Sequence, residues 1–219
     1  MPARVGNVPN ANHSHPAPGI DALAHTAVLA LGSNLGESET TLEQAAADLV
    51  HLSGGEVRLV RASGLYVTEP VGGPADQPDY INAVLEVRTS LDPYALLALC
   101  QQVEAHHHRV RLVRWGPRTL DIDVISYDDL VSDDPALTLP HPRAHERAFV
   151  LVPWEQASPQ AVIPSRDAAT GEQARHLVAD LARRVRAADE RAGVNAVRFM
   201  RDMNLPKNLF DSGAESEGV

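Results

Sequence analysis

Between Arg114 and Ile125 the chain reads Arg-Trp-Gly-Pro-Arg-Thr-Leu-Asp-Ile-Asp-Val-Ile. Two carboxylates, Asp121 and Asp123, stand two residues apart directly after a cluster of arginines. Along a strand successive side chains alternate faces, so the two acids point one way while Leu120, Ile122 and Val124 point the other, into a core. Acids rooted roughly 6–7 Å apart suit the bridging of hard cations such as Mg²⁺. Arg109, Arg111, Arg114 and Arg118 lie just upstream, with no acid between Glu104 and Asp121. Taken singly, the acids fit a solvated strand edge and the arginines a solvated basic turn. Side by side they suggest a metal-bound polyphosphate, with the arginines on its free oxygens. Trp115 sits on a bend beside the acids, where it either stacks on a flat ring, closes a lid or plugs the core.

The elements that must hold these groups are legible in outline. Residues 1–24 read as a flexible leader, rich in Asn, His, Pro and Gly. His13 and His15 in it are read as solvated. His25–Leu31 is a first strand, and Gly32-Ser33-Asn34-Leu35-Gly36 a turn. Ser38 then caps a helix to about Leu52, with Leu42, Ala45, Ala46 and Leu49 as its buried stripe. Glu56–Tyr66 and Ile81–Thr89 alternate as strands. The stretch between them, Thr68 to Asp79, carries three prolines and two glycines, which preclude regular structure. Asp92 caps a second helix with Pro93 at its first position and Leu96, Leu99, Cys100 and Val103 as its core stripe, ending near Arg109. Gln101 and Glu104 share another face of it. The acid-bearing strand follows. The order β-α-β-β-α-β predicts an α+β, ferredoxin-like core: an antiparallel four-stranded sheet with two helices on one face. Additional C-terminal elements follow, among them a short helix over 145–156 and a longer one over 172–192, with Leu177, Leu181, Val185 and Ala188 on one side. The folded domain is taken as 25–192. Residues 193–219 form a tail, disordered from Asp211, in which Val197, Phe199, Met200, Leu205 and Phe210 either dock or merely expose apolar surface.

Other residues carry less chemistry. The first glycine turn opens a helix, where phosphates can bind, but it lacks the Gly-Lys-Ser/Thr ending of a P-loop, and no Gly-x-Gly-x-x-Gly occurs. His106, His107 and His108 are consecutive and diverge on a helix, so they suit the negative helix end better than a zinc ion. His141, between Pro140 and Pro142 in a stiff loop, reaches with Arg147 toward the same phosphates as the arginine cluster. Cys100 is a core residue, and no nucleophile constellation stands out. The sole cysteine allows no intrachain disulfide and favours a reducing cytoplasm. A formal net charge of −10, from 19 basic and 29 acidic residues, argues against a nucleic-acid partner. No apolar run is long enough to span a membrane.

The pattern resembles the 6-hydroxymethyl-7,8-dihydropterin pyrophosphokinase family from about Ala27 to about Ile163. The motif Arg-x-Gly-Pro-Arg-x-x-Asp-Ile-Asp stands unbroken from Arg114 to Asp123. Supporting matches are Ala30 to Gly36, Leu65-Tyr66-x-Thr68-Glu69-Pro70, Asp76 to Ala83, and Leu139-Pro140-His141 with Arg147-x-Phe149. The resemblance implies transfer of diphosphate from ATP to the hydroxymethyl oxygen of the pterin, releasing AMP, in tetrahydrofolate biosynthesis. It implies that Asp121 and Asp123 hold two Mg²⁺ ions bound with ATP, and that Arg109 and Arg118 stabilise charge developing in the transfer. It gives ATP phosphates to Arg111, His141 and Arg147, a helical face near the nucleotide to Gln101 and Glu104, and the adenine pocket to Val124 and Thr138. The pterin would stack between Tyr80 and Phe149, read by Asn82 and by backbone around Thr68, Glu69 and Val71. Trp115 would close over both substrates. Pro142 departs from the tyrosine many members carry, and the arginine loop is one residue shorter than in some. A monomer is expected, open to weak association with other folate enzymes. Two other readings compete. Another Mg²⁺-dependent nucleotidyl- or phosphoryl-transfer enzyme would use the same acids but leaves Tyr80, Asn82, Trp115 and Phe149 unexplained. An RNA-binding module of this fold would carry aromatics on its central strands and a basic face.

Overall fold

Alternating apolar residues on β1 (His25–Ser33) and β4 (Tyr80–Thr89) give each strand two usable faces, and these two form the centre of the sheet. In the computed structural model, which describes residues 23–70, 77–108, 117–166, 170–192 and 197–211, β1 pairs on one side with β4 and on the other with β5 (Asp121–Tyr127), both antiparallel. The predicted single strand 56–66 is two, β2 (Val57–Ala62) and β3 (Leu65–Thr68), which share β4 as partner. The break falls at Ser63-Gly64, where the Ser63 hydroxyl accepts the Val84 N–H and donates to the Gly64 carbonyl. With α1 (Ser38–Leu52) and α2 (Pro93–His106), and with β2 and β3 counted as one broken strand along β4, the order β-α-β-β-α-β is the α+β, ferredoxin-like one the sequence predicts.

The helices follow their stripes. Leu42, Ala45, Ala46 and Leu49 of α1 and Leu96, Leu99, Cys100 and Val103 of α2 are buried over Leu29, Leu31, Leu85, Ile122 and Val124. Asp92 caps α2, accepting from the N–H groups of Tyr94 and Ala95 at 2.9 Å each. That helix stops at His106, short of the expected Arg109, because His108 turns to φ 55°. His107 reaches back to Asp48 of α1 at 2.9 Å. Ser38 is not a cap: Glu37 holds that position without a side-chain bond, and Ser38 accepts from the Ser33 hydroxyl.

The opposite face of the sheet is covered only in part. Val28, Val84 and Ile125 lie under α3 (Ala148–Ala157) and α4 (Val178–Ala192). Helix α4 is shorter than predicted. Gly171, at φ +73°, turns the chain so that β7 (Gln173–Leu177) pairs with β6 (Val162–Arg166), and that ladder takes backbone groups a longer helix would have used. Val178 and Ala182 consequently join Leu181 in the core, while Leu177 is exposed.

Both expected domain boundaries move outward. Leu23 is buried and its carbonyl accepts two bonds from the Arg88 guanidinium, so the fold starts inside the expected leader. Past residue 192, β8 (Arg198–Arg201) adds to the sheet beside β3. Arg201 then grips Glu39 and Glu43 of α1 at 2.7 Å, Leu209 is buried, and the Asp211 N–H donates to the Leu59 carbonyl. Gly64 makes this docking possible, since a Cβ there would lie 2.5 Å from the Phe199 ring and 2.8 Å from the Arg201 carbonyl. Residues 1–22 of the expected leader and the expected disordered tail beyond 211 lie outside the described residues.

Candidate active site

The part of the sheet left open by α3 and α4 carries the polar residues. Side chains directly opposite in an antiparallel ladder share a face. Tyr66 pairs with Asn82, Asn82 with Gly32, and Gly32 with Asp121, so these four form one row across four strands. In the next rows Thr68 faces Tyr80, and Ala30 stands between Val84 and Asp123. Ile122 and Val124 point into the α1/α2 core, which fixes Asp121 and Asp123 on the open face as their spacing predicts.

The floor of this row is Gly32, a strand residue and not part of a turn. A Cβ at this position would lie 3.3 Å from Asn82 Oδ1 and 4.0 Å from the Tyr80 ring. Asn82 is buried and donates through Nδ2 to Thr68 Oγ1 at 2.8 Å, which leaves its carbonyl oxygen turned toward Gly32. Asn82 and Asp121 thus face each other across one missing side chain, two strand spacings or roughly 10 Å apart at the backbone.

Cations surround the acids. Arg118 pairs closely with Asp121. Burial alone would lower the Arg118 pKa, but the field of Asp121, helped by Tyr80 and Asp123, holds it above the usual value. Arg147 Nη1 lies 3.5 Å from Asp123 and His141 Nε2 3.9 Å. Burial pushes the pKa of His141 and of Arg147 down, and Asp123 opposes both shifts. His141 is placed by its own backbone N–H, which donates to the Ile125 carbonyl at 2.8 Å. The Arg147 guanidinium also lies over the Phe149 ring, 5.4 Å from its centre. A face that pairs two carboxylates with two guanidiniums and an imidazole suits a polyphosphate carried on a divalent cation.

The sequence-predicted residues divide accordingly. Arg118, Asp121, Asp123, His141, Arg147 and Phe149 meet on this face with Thr68, Tyr80 and Asn82. Glu69 is exposed just past β3, and Gln101 is exposed on α2. Thr138 donates to the Asp134 carbonyl. Val124 has its side chain in the α1/α2 core, so what it offers a nucleotide is the main chain at the outer edge of β5. Val71, Arg109, Arg111 and Trp115 lie outside the described residues.

Glu104 acts from behind the site. It is buried, and its Oε1 accepts the Ile122 N–H at 2.8 Å. That N–H lies between the two acids on the outer edge of β5, which no further strand flanks among the described residues. Glu104→Ala should therefore destabilise the fold by about 1–3 kcal/mol through an unpaired buried donor. Glu104→Gln, which retains an accepting oxygen, should cost less. Urea midpoints of the two variants check this, and equal, negligible shifts would count against the strand-fixing role.

Two contributors escaped sequence reasoning. Gly32 reads in the sequence as part of a turn, and only the register shows what stands on either side of it. Asn34, read the same way, is buried and bonds to two distant segments. The polar type of a side chain next to a tight turn was the only available signal.

Residues 28–159 match the family model described as 7,8-dihydro-6-hydroxymethylpterin-pyrophosphokinase. The chain is 42% identical over 147 residues to the 2-amino-4-hydroxy-6-hydroxymethyldihydropteridine pyrophosphokinase of Bacillus subtilis, covering 67% of this chain and 86% of that one. It is 42% identical over 140 residues to the Haemophilus influenzae protein of the same name, covering 64% and 86%. Among solved structures, Plasmodium falciparum HPPK-DHPS, wild type with pterin and p-hydroxybenzoate, aligns with a TM-score of 0.55 at 16% identity, over 78% of this chain. The chain spans 45% of that longer protein, and the likeness concerns the fold.

Proposed function

The chain belongs to the 7,8-dihydro-6-hydroxymethylpterin-pyrophosphokinase family, and on that premise we propose how its residues divide the work. The enzyme transfers the diphosphoryl group of ATP to the hydroxymethyl oxygen of 6-hydroxymethyl-7,8-dihydropterin, in folate biosynthesis. The competing readings, a different phosphoryl- or nucleotidyl-transfer enzyme or an RNA-binding module, are not favoured. Attack at the β-phosphorus makes AMP the leaving group, so the protein's task is positioning and charge neutralisation.

The observation that carries the assignment is the row Asn82–Gly32–Asp121. The Asn82 amide and the Asp121 carboxylate stand on either side of an open floor, which supports a reading with a flat ring on one and a cation with its phosphate on the other. The pterin lies over Gly32 with Tyr80 and Phe149 against its faces, read by the Asn82 carbonyl oxygen and by backbone near Thr68, Glu69 and Val71. Arg118, His141 and Arg147 take phosphate oxygens, joined by Arg109 and Arg111. Trp115 closes over both substrates and excludes water. Gln101, Val124 and Thr138 stand on the nucleotide side, and Glu104 serves that side by fixing β5.

Family members generally use Mg²⁺ with ATP. The residues fit that ion. Asp121 and Asp123 offer hard oxygen donors from adjacent positions of one strand face, too few to complete an octahedron, so ATP oxygens and water supply the rest. Asp121 and Asp123 would hold two such ions, which when bound neutralise the triphosphate and polarise the transferred phosphorus.

Among the described residues no helix is long and apolar enough to cross a membrane. The enzyme works in the cytoplasm as a monomer, open to weak association with other folate enzymes.

Mixing the protein with ATP, Mg²⁺ and the hydroxymethyl pterin should yield AMP and the pterin diphosphate in equal amounts, and chelation of the metal should stop the reaction. ADP as product, or turnover of ATP independent of the pterin, would overturn the assignment.

A further inference from the structure

Asn34 lies between β1 and α1 and is 3% exposed. Its side-chain amide uses both ends. Nδ2 donates to the Pro78 carbonyl at 3.1 Å, and Oδ1 accepts the Arg118 N–H at 2.8 Å. Its own backbone N–H adds a bond to the Arg118 carbonyl at 3.1 Å. Pro78 leads directly into Tyr80 and Asn82, and Arg118 directly into Asp121 and Asp123. One buried side chain therefore ties the segment entering the pterin strand to the segment entering the phosphate strand. None of the described contacts of Asn34 reaches the open face itself.

Resting on the site assignment above, we propose that Asn34 is a positioning residue that couples the two substrate sites. Arg118 is the point at which phosphate charge meets the chain, and both its N–H and its carbonyl are held by Asn34. A set of the Arg118 segment imposed by nucleotide is passed through one rigid amide to the Pro78 carbonyl, and so to the strand start that carries Tyr80 and Asn82. The coupling is reciprocal: each ligand raises the affinity of the other by the same factor. The demand on residue type is strict, because position 34 must present an acceptor to one segment and a donor to the other. Aspartate keeps the acceptor and loses the donor. Alanine loses both and keeps the main-chain bond.

Calorimetric titration of the full chain with Mg²⁺ and α,β-methylene-ATP, and with oxidised 6-hydroxymethylpterin, each alone and each saturated with the other, tests this. The parent protein should show each ligand tightening the other at least tenfold. Asn34→Asp should bind nucleotide within about threefold of the parent, corrected for the added charge by Asn34→Ala, while the coupling factor falls toward one. Asn34→Ala should lose the coupling as well, and carries the same readout should the Asp variant not fold. Retention of the parent's coupling factor within twofold in either folded variant, or no coupling in the parent, overturns the proposal. Asn82→Ala serves as the reference: if it leaves pterin binding untouched, the site assignment has failed, whatever happens at Asn34.

Discussion

Asp123→Ala should lower turnover by at least three orders of magnitude, about 4 kcal/mol of transition-state stabilisation, while the protein stays folded. The carboxylate side chain is 39% exposed, and its contacts to Arg147 at 3.5 Å and to His141 at 3.9 Å are long ones that contribute little to the fold. What it supplies is charge at a fixed place. Asp121→Ala should fall by a similar factor, with the added consequence that Arg118 loses its close partner and its guanidinium is no longer aimed. Asn at either position keeps the shape and removes the charge, so a rate as low as that of Ala assigns the effect to cation binding and not to a cavity. Initial rates under saturating ATP, with urea midpoints for stability, separate the two. Near-normal rates in Asp123→Ala would remove the acids from the mechanism.

Gly32→Val should raise the KM for the pterin by about 100-fold or more, a loss of close to 3 kcal/mol, with the KM for ATP changed far less. Valine is favoured in strands, so the backbone tolerates it. The obstacle is the floor: even a bare Cβ would stand 3.3 Å from Asn82 Oδ1, and two further methyl groups would occupy the space over which the ring must lie. Gly32→Ala should be graded, because Asn82 can give by a few tenths of an ångström only by straining its 2.8 Å bond to Thr68. Pterin and ATP KM values for the two variants check this, and an unaltered pterin KM in Gly32→Val would place the ring elsewhere.

Much of this was legible in the residues because it depends on local rules. The facing of Asp121 and Asp123 follows from strand alternation. The stripes of α1 and α2 and the Asp92-Pro93 start follow from helical period and capping. The gathering of Arg118, His141, Arg147, Tyr80 and Asn82 rested on their falling together in a known pattern. What remained hidden depends on pairings distant in sequence. Gly32 matters because of what register places on either side of it, and register is a property of three strands together. Glu104 has the spacing of a ligand-facing residue, yet the free edge of β5 claims it, since a buried N–H must find an acceptor. Gln173–Leu177 carries no alternation, and a turn at Gly171 decided it for a hairpin. β8 is four residues with an arginine at each end, and neither composition nor period marks it as a strand.

That last strand has a consequence for how the molecule is made. β3 is complete as soon as Thr68 is synthesised, but the partner that covers its outer edge begins only at Arg198. At cellular rates of chain elongation the wait is on the order of ten seconds. Once β4 and β5 have followed, at Thr89 and Tyr127, β3 presents for the rest of that interval an unpaired edge on a sheet otherwise ready to form, the kind of edge that recruits stray strands. Gly64 keeps the berth clear for Phe199 and the Arg201 carbonyl, and Glu39 and Glu43 on α1 hold the carboxylates that receive Arg201. Closure of the nascent sheet is thus left to a late return of the chain, guided by charge to a place that has no side chain.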